Sequence, residues 1–431
     1  MEQIVTQVQL YLLNLRPYYK DLRIMPFFKK NIFTLFILVM CTYCASGQYK
    51  VALTRNASIG TSPNVETYFF VEKLAVEHIG NYVFDIKGVD YSHQPMVHFG
   101  FANFKLYQND PIILRAADIL KKIRDTLADN GPILNHLLNQ KDFPAKGSRF
   151  AEDRSKVQTS ETGNKLMPLF NELTDSLRKF YIKANVAGFL KDNSAFYKGA
   201  LREIAKDIDG SVYSAIEKWY GNKFPNYELY ISPAMPITPG EGNYRGFGPT
   251  IFSPKGKIPS MVVSSSVMLG LQDNLSAYKK YGFDSPEVTQ FLTVHEVSHA
   301  FVNPLLEKYK GQIMADSALF VKGLKDTLST KGIRNWYVCV IEHLVRLGEI
   351  RIAVSVGNQK EADRLRVLHI GEYNCVLLPL LEEKITEYEK NRANYPTFER
   401  YVPELVQFMH SLTPEIVNNQ LLKYGNYKTG S

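Results

Sequence analysis

Residues 284–304 read DSPEVTQFLTVHEVSHAFVNP, and within them His295 and His299 stand four residues apart. On an α-helix that spacing sets both imidazoles on one face about one turn apart, where they can share a single metal ion. Glu296 follows the first histidine directly, which puts its carboxylate beside such a metal without making it a ligand. A carboxylate so placed can take a proton from a metal-bound water, and HExxH is the signature of zinc hydrolases built on this logic. Val288, Phe291, Leu292 and Val302 share the face, so the histidines point into the protein. The competing reading is two core histidines satisfied by hydrogen bonds and binding nothing. Burying two imidazoles beside a carboxylate is costly unless something organises them.

The helix that must carry this motif has its own signals. Asp284 or Ser285 can cap it, Pro286 suits its first turn, Glu287 suits its positive end, and Asn303-Pro304 is expected to end it. A zinc site also needs a third protein ligand. The extended form HExxHxxGxxH is excluded, because Val302 and Leu305 occupy the Gly and His positions. The best source is 334–353, RNWYVCVIEHLVRLGEIRIA, an almost wholly apolar helix in which Glu342 needs a partner such as a cation. Glu349, two turns on, is the runner-up, and His343 projects about 100° away. Glu342 can instead pair with Arg346 by the i,i+4 rule. Cys339 reads as a buried structural thiol rather than a ligand.

These motifs stand with others. An NVET segment lies at 64–67, and Ser232-Pro233 leads into the glycine-rich TPGEGNYRGFGP at 238–249. With HEVSHAFVNP and IEHLVR they make most of residues 50–425 resemble a family of secreted bacterial domains of unknown function that carry HExxH. That family is similar in layout to the gluzincin zinc peptidases. The resemblance implies His295 and His299 as ligands of one Zn2+, Glu296 as catalytic acid/base and Glu342 as third ligand. One departure matters: where the thermolysin type has an Asp four residues after the ligand Glu, this chain has Arg346. Nor does a GxMEN-type segment support an aminopeptidase.

The rest of the chain sets the frame. In 431 residues, 45% are hydrophobic and 22% charged, which excludes a disordered or fibrous chain. The net charge of +8 is scattered, without basic blocks or aromatic-basic interleaving, so no nucleic-acid partner is expected. Residues 25–47, MPFFKKNIFTLFILVMCTYCASG, have the layout of a signal peptide cleaved before Gln48, and 1–24 then read as an over-extended start. An uncleaved anchor, or acylation at Cys41, is the alternative, and membrane contact is expected only through this segment. The protein is therefore expected to be exported: periplasmic, secreted or an outer-membrane lipoprotein. Cys339 and Cys375 would remain, as one bridge or two thiols.

Periodicity predicts an α+β fold that is mostly helical. It has an N-terminal α/β region at 48–143, a polar loop at 144–165 and a region at 166–431 with a small sheet ahead of the HExxH helix, which the resemblance implies is a zincin-like catalytic region. Val51 to Leu53, Val65 to Leu74 and Val97 to Leu106 give strand or mixed signals, with a helix opening near Glu66. Ile112 to Leu138 reads as helix, and Met167 to Tyr220 as two or three helices. Tyr227 to Ile231 and Ile258 to Val267 read as strands, and the resemblance implies that one of them pairs with the backbone of a peptide or protein substrate. The loop Gly240 to Gly248 is expected at the cleft rim. Tyr244, Arg245, Tyr337 and Tyr373 are the candidate oxyanion donors. The alternatives to a peptidase are a binding protein on a peptidase fold and a zinc hydrolase of another substrate.

Overall fold

The computed structural model describes residues 49–127, 129–150, 161–238 and 244–425, and of 161–164 the backbone alone. The expected signal peptide, the anchor and Cys41 lie outside these residues. The described residues all belong to one compact unit.

The first elements are strands β1 (Lys50–Ala52) and β2 (Ala57–Thr61), helix α1 (Pro63–Ile79), and the short pair β3 (Asn81–Tyr82) and β4 (Asp85–Ile86). Helices α2 (Pro95–Phe104), α3 (Pro111–Arg124) and α4 (Gly131–Leu138) follow. Then come α5 (Glu161–Lys183), α6 (Val186–Asp192), α7 (Ser194–Asp207) and α8 (Ser211–Tyr220). The strands β5 (Tyr227–Ile231), β6 (Gly246–Phe247), β7 (Thr250–Ser253) and β8 (Gly256–Val263) come next. The rest is helical: α9 (Pro286–Glu307), α10 (Lys310–Ala315), α11 (Lys322–Ser329), α12 (Trp336–Ser355), α13 (Gln359–Arg366), a π-helical stretch at Val367–Glu372, α14 (Leu378–Lys390), α15 (Phe398–His410) and α16 (Pro414–Tyr424). The protein is thus mostly helical with one small mixed sheet, an α+β arrangement.

Several local expectations change. Val97 to Leu106 is mainly the helix α2, because Pro95 at its first turn fixes φ for a helix start. Helix α1 opens at Pro63 rather than Glu66, with Ser62 Oγ accepting from the Val65 amide. Four helices, not two or three, occupy 161–220. Helix α9 runs past Asn303-Pro304 to Glu307. A proline this near the C-terminus removes one backbone bond and leaves the last turn free to form. Ser285 takes the N-cap position but makes no side-chain cap bond.

The sheet order is β1-β2-β5-β8-β6, with β7 also on β8. Strands β2, β5 and β8 run parallel, while β1, β6 and β7 pair antiparallel at the two sides. Alternation in β5 explains the layering, since strand side chains point to opposite faces in turn. Tyr227, Leu229 and Ile231 join Met261 and Val263 in the core shared with α9 and α12. Tyr230 and Val262 face a second core built on α1, α3 and α5. The sheet therefore lies between two helical layers, and strands from 50–61 and 227–263 share it. Both β5 and β8 are paired on both sides, so neither offers a free edge to a substrate, contrary to expectation. The edge on the β8 side belongs to β6 and β7.

Candidate metal centre

Helix α9 delivers the two histidines. Burying Phe291, Leu292, Val294, Val297, Phe301 and Val302 turns the His295 face inward, and His295 and Glu296 are themselves buried. Helix α12 delivers Glu342. Its apolar run is buried on nearly all sides, and Asn335 Oδ1 caps it by accepting from the Val338 amide at 2.9 Å. The helices pack so that Glu342 reaches the pair, and ligand atoms of His295, His299 and Glu342 all lie within 4.8 Å of one another. The two Nε2 atoms are 3.2 Å apart. Glu342 Oε2 is 3.8 Å from His295 Nε2, and Oε1 is 3.7 Å from His299 Nε2.

The hydrogen bonds behind the rings decide what these atoms offer. His295 Nδ1 lies 2.7 Å from Glu349 Oε1, and His299 Nδ1 lies 3.1 Å from Asn303 Oδ1. In neutral rings with each Nδ1–H given to an acceptor, both Nε2 atoms present lone pairs, which then face one another across 3.2 Å beside a carboxylate. A cation between them removes that repulsion. Tetrahedral zinc with bonds of about 2.0–2.1 Å has ligand-to-ligand edges of about 3.3 Å, close to the observed spacings. The donor set fits such an ion.

Glu349 is therefore behind His295 and not among the converging atoms, which corrects its place as runner-up ligand. Burial alone would raise its carboxyl, but His369 and His295 hold it well below the usual range. Glu342, also opposed by burial, is likewise held down by His299, His295 and Arg346. Its i,i+4 pair with Arg346 is present too, with Arg346 Nη2 donating to Oε2 at 3.3 Å. His343 turns away, with Nδ1 donating to the Cys339 carbonyl at 2.8 Å, and burial lowers its pKa to about 4. Cys339 and Cys375 are buried free thiols.

Glu296 is pushed up to about 7, chiefly by burial, with His295 opposing and Glu342, Asp129 and Glu349 adding to the rise. The strand edge closes on it: a Cβ at Gly246 would fall 2.8 Å from Glu296 Oε1, and one at Gly248 would fall 2.9 Å from Oε2. Glycine at both positions lets backbone approach the carboxylate. The described part of the rim loop thus lies against Glu296, while 239–243 lie outside the described residues.

Of the four expected oxyanion donors, Tyr337 donates instead to Glu307 at 2.7 Å, and Arg245 stacks on Phe84. Tyr244 and Tyr373 pair through their hydroxyls at 2.6 Å, and the Arg346 guanidinium covers the Tyr373 ring at 4.0 Å. Sequence reading missed Asn303 as a partner of His299, although its i,i+4 spacing was visible. It also missed His369, which no local pattern announces, and Asp129, whose charge reaches the site from the N-terminal region.

Fold and site together define an α+β protein with a His/His/Glu cluster able to hold a metal ion. The chain belongs to the family described as a domain of unknown function, DUF4932, whose model matches residues 150–408. That span contains every residue of the cluster. No curated protein and no solved structure matches the chain.

Proposed function

We propose that this protein is a zinc-dependent hydrolase, in its specific form an exported metallopeptidase of gluzincin type on a zincin-like core. The observation that carries the reading is the convergence of the two Nε2 atoms, 3.2 Å apart, on the Glu342 carboxylate next to the buried acid Glu296. An HExxH helix under a sheet edge, followed by a helix bearing the third ligand, supports the gluzincin comparison. The signal-like segment 25–47 supports export.

Zinc held there would acidify water and polarise a carbonyl. The chain's own residues do the rest. Glu349 and Asn303, accepting from Nδ1, orient the His295 and His299 rings with Nε2 turned inward. Glu296, with a carboxyl raised to about 7 by burial, takes the proton from the attacking water and passes it to the leaving nitrogen. The outer edge of β6, beside Glu296 and without a partner strand among the described residues, is the backbone available to an extended peptide. The Tyr244–Tyr373 pair is the donor group left for the oxyanion.

The test is elemental analysis of purified residues 48–431 with parallel digestion of mixed protein substrates. The parent is expected to carry about one zinc and to lose peptide cleavage on chelation. His299→Ala and Glu342→Ala should lose most of the metal. Glu296→Gln should keep it while turnover falls about 10²–10⁴-fold. A parent that takes up no zinc when supplied with it would sink the reading.

A further inference from the structure

Each oxygen of Glu349 takes one imidazole: Oε1 lies 2.7 Å from His295 Nδ1, and Oε2 lies 3.0 Å from His369 Nε2. His369 comes from the π-helical stretch Val367–Glu372, a kind of irregularity found often at functional sites. On the far side of its ring, Arg346 Nη1 stands 3.1 Å from Nδ1. A guanidinium has donors only, so His369 Nδ1 must accept, and the single ring proton sits on Nε2, aimed at Glu349. Burial disfavours the charged ring and outweighs the pull of Glu349, which agrees with a neutral imidazole. Arg346 also donates through Nη2 to Glu342 at 3.3 Å. The chain of contacts Glu342, Arg346, His369, Glu349, His295 therefore begins and ends on the same cluster. Its middle is dry: the side chains of Glu349 and His369 are 0% exposed. Glu349 and His369 share a charge-assisted hydrogen bond, the kind that strengthens away from water.

We propose that His369 is a positioning residue of the metal centre. Locked in its Nε2–H tautomer by Arg346, it holds the Glu349 carboxylate so that Glu349 in turn fixes His295 with its Nε2 lone pair facing the metal. This rests on the metal-centre reading above. His369 itself does not reach the metal position, and its part differs from the carboxylate expected four residues after Glu342, where Arg346 stands. The arrangement moves the supporting acid to Glu349, seven residues on, and braces it with a histidine from another element.

The experiment is competition for zinc against a chromogenic chelator, using the full mature chain, with thermal unfolding of the metal-free proteins alongside. His369→Leu removes the N–H to Glu349 and should bind zinc at least about ten-fold more weakly than the parent. His369→Gln offers an amide N–H and an acceptor for Arg346, and should stay within about three-fold. His369→Gln should unfold cooperatively near the parent's metal-free midpoint, and His369→Leu, which leaves the buried Glu349 oxygen without its donor, cooperatively at a lower one. His369→Leu binding as tightly as the parent overturns the proposal, as does His369→Gln falling as far as His369→Leu. A parent that binds no zinc would overturn the metal-centre reading itself, a separate outcome. Should His369→Leu fail to fold, 15N-histidine spectra of the zinc-loaded parent decide the matter. The resonances absent from His369→Gln must show a neutral ring protonated on Nε2, and a proton on Nδ1 overturns the proposal.

Discussion

Glu66 shows at single-residue scale how burial and hydrogen bonding set a charge state. It is buried, accepts from Tyr197 at 2.6 Å, from Ser232 and from the Ala234 backbone, and its carboxyl is nevertheless pushed up to about 7, because burial outweighs all three bonds. Its folded pKa lies above its unfolded value. The native state therefore keeps a proton that the unfolded chain releases, and stability is lost as pH rises from about 4.5 to about 7. Glu66→Gln should flatten that fall by at most about 3 kcal/mol, read from denaturant unfolding across pH 5 to 8. Parallel curves for parent and variant would refute it. HExxH was legible at this scale because its chemistry lies within one helical turn. The support behind it was not: Glu349 shares a helix with Glu342, yet only packing of α12 on α9 shows that its carboxylate meets the rear of His295.

Among the elements, the edge pair β6 and β7 carries the most consequence for function. It pairs with β8, has no partner strand on its outer side among the described residues, and sets Gly246 and Gly248 against Glu296. A methyl at 248 would stand 2.8 Å from the Glu296 carbonyl oxygen, which backbone cannot readily yield. Gly248→Ala should lower stability by about 1–3 kcal/mol and displace the Glu296 carboxylate. Peptide cleavage should then fall more than ten-fold while zinc content stays at the parent level. Loss of zinc together with activity would show instead that the whole α9 face had shifted. Strand β5 could be read from alternation and β8 from a run rich in Val and Ser, but which strand lies at an edge could not. Sheet order depends on pairings between segments far apart in the chain, such as Ser58 with Glu228 and Glu228 with Ser260.

Across the whole molecule, the three side chains of the His/His/Glu cluster come from two helices that sit in the core shared with one face of the sheet. Any ion held there links α9 to α12 and binds the native state in preference to the unfolded one. Zinc at a hundred times its dissociation constant should therefore add about 2.7 kcal/mol. Calorimetry with and without a chelator should show a raised unfolding temperature for the parent and none for His299→Ala. No shift in the parent at saturating zinc would count against the site. Among the described residues, no helix is long and apolar enough to cross a membrane.

The sequence by itself determined the helical character of most of the chain, strand β5, the HExxH constellation and Glu342, because each is written in a period or spacing of a few residues. Helical and strand periods need no knowledge of distant segments. The tertiary structure alone decided that Glu342 reaches the histidines and Glu349 stands behind one of them, that His369 and Arg346 brace the arrangement, and that β6 rather than β5 or β8 holds the edge. Those outcomes depend on which faces of separate elements bury together, and core packing between elements is not encoded in any local pattern.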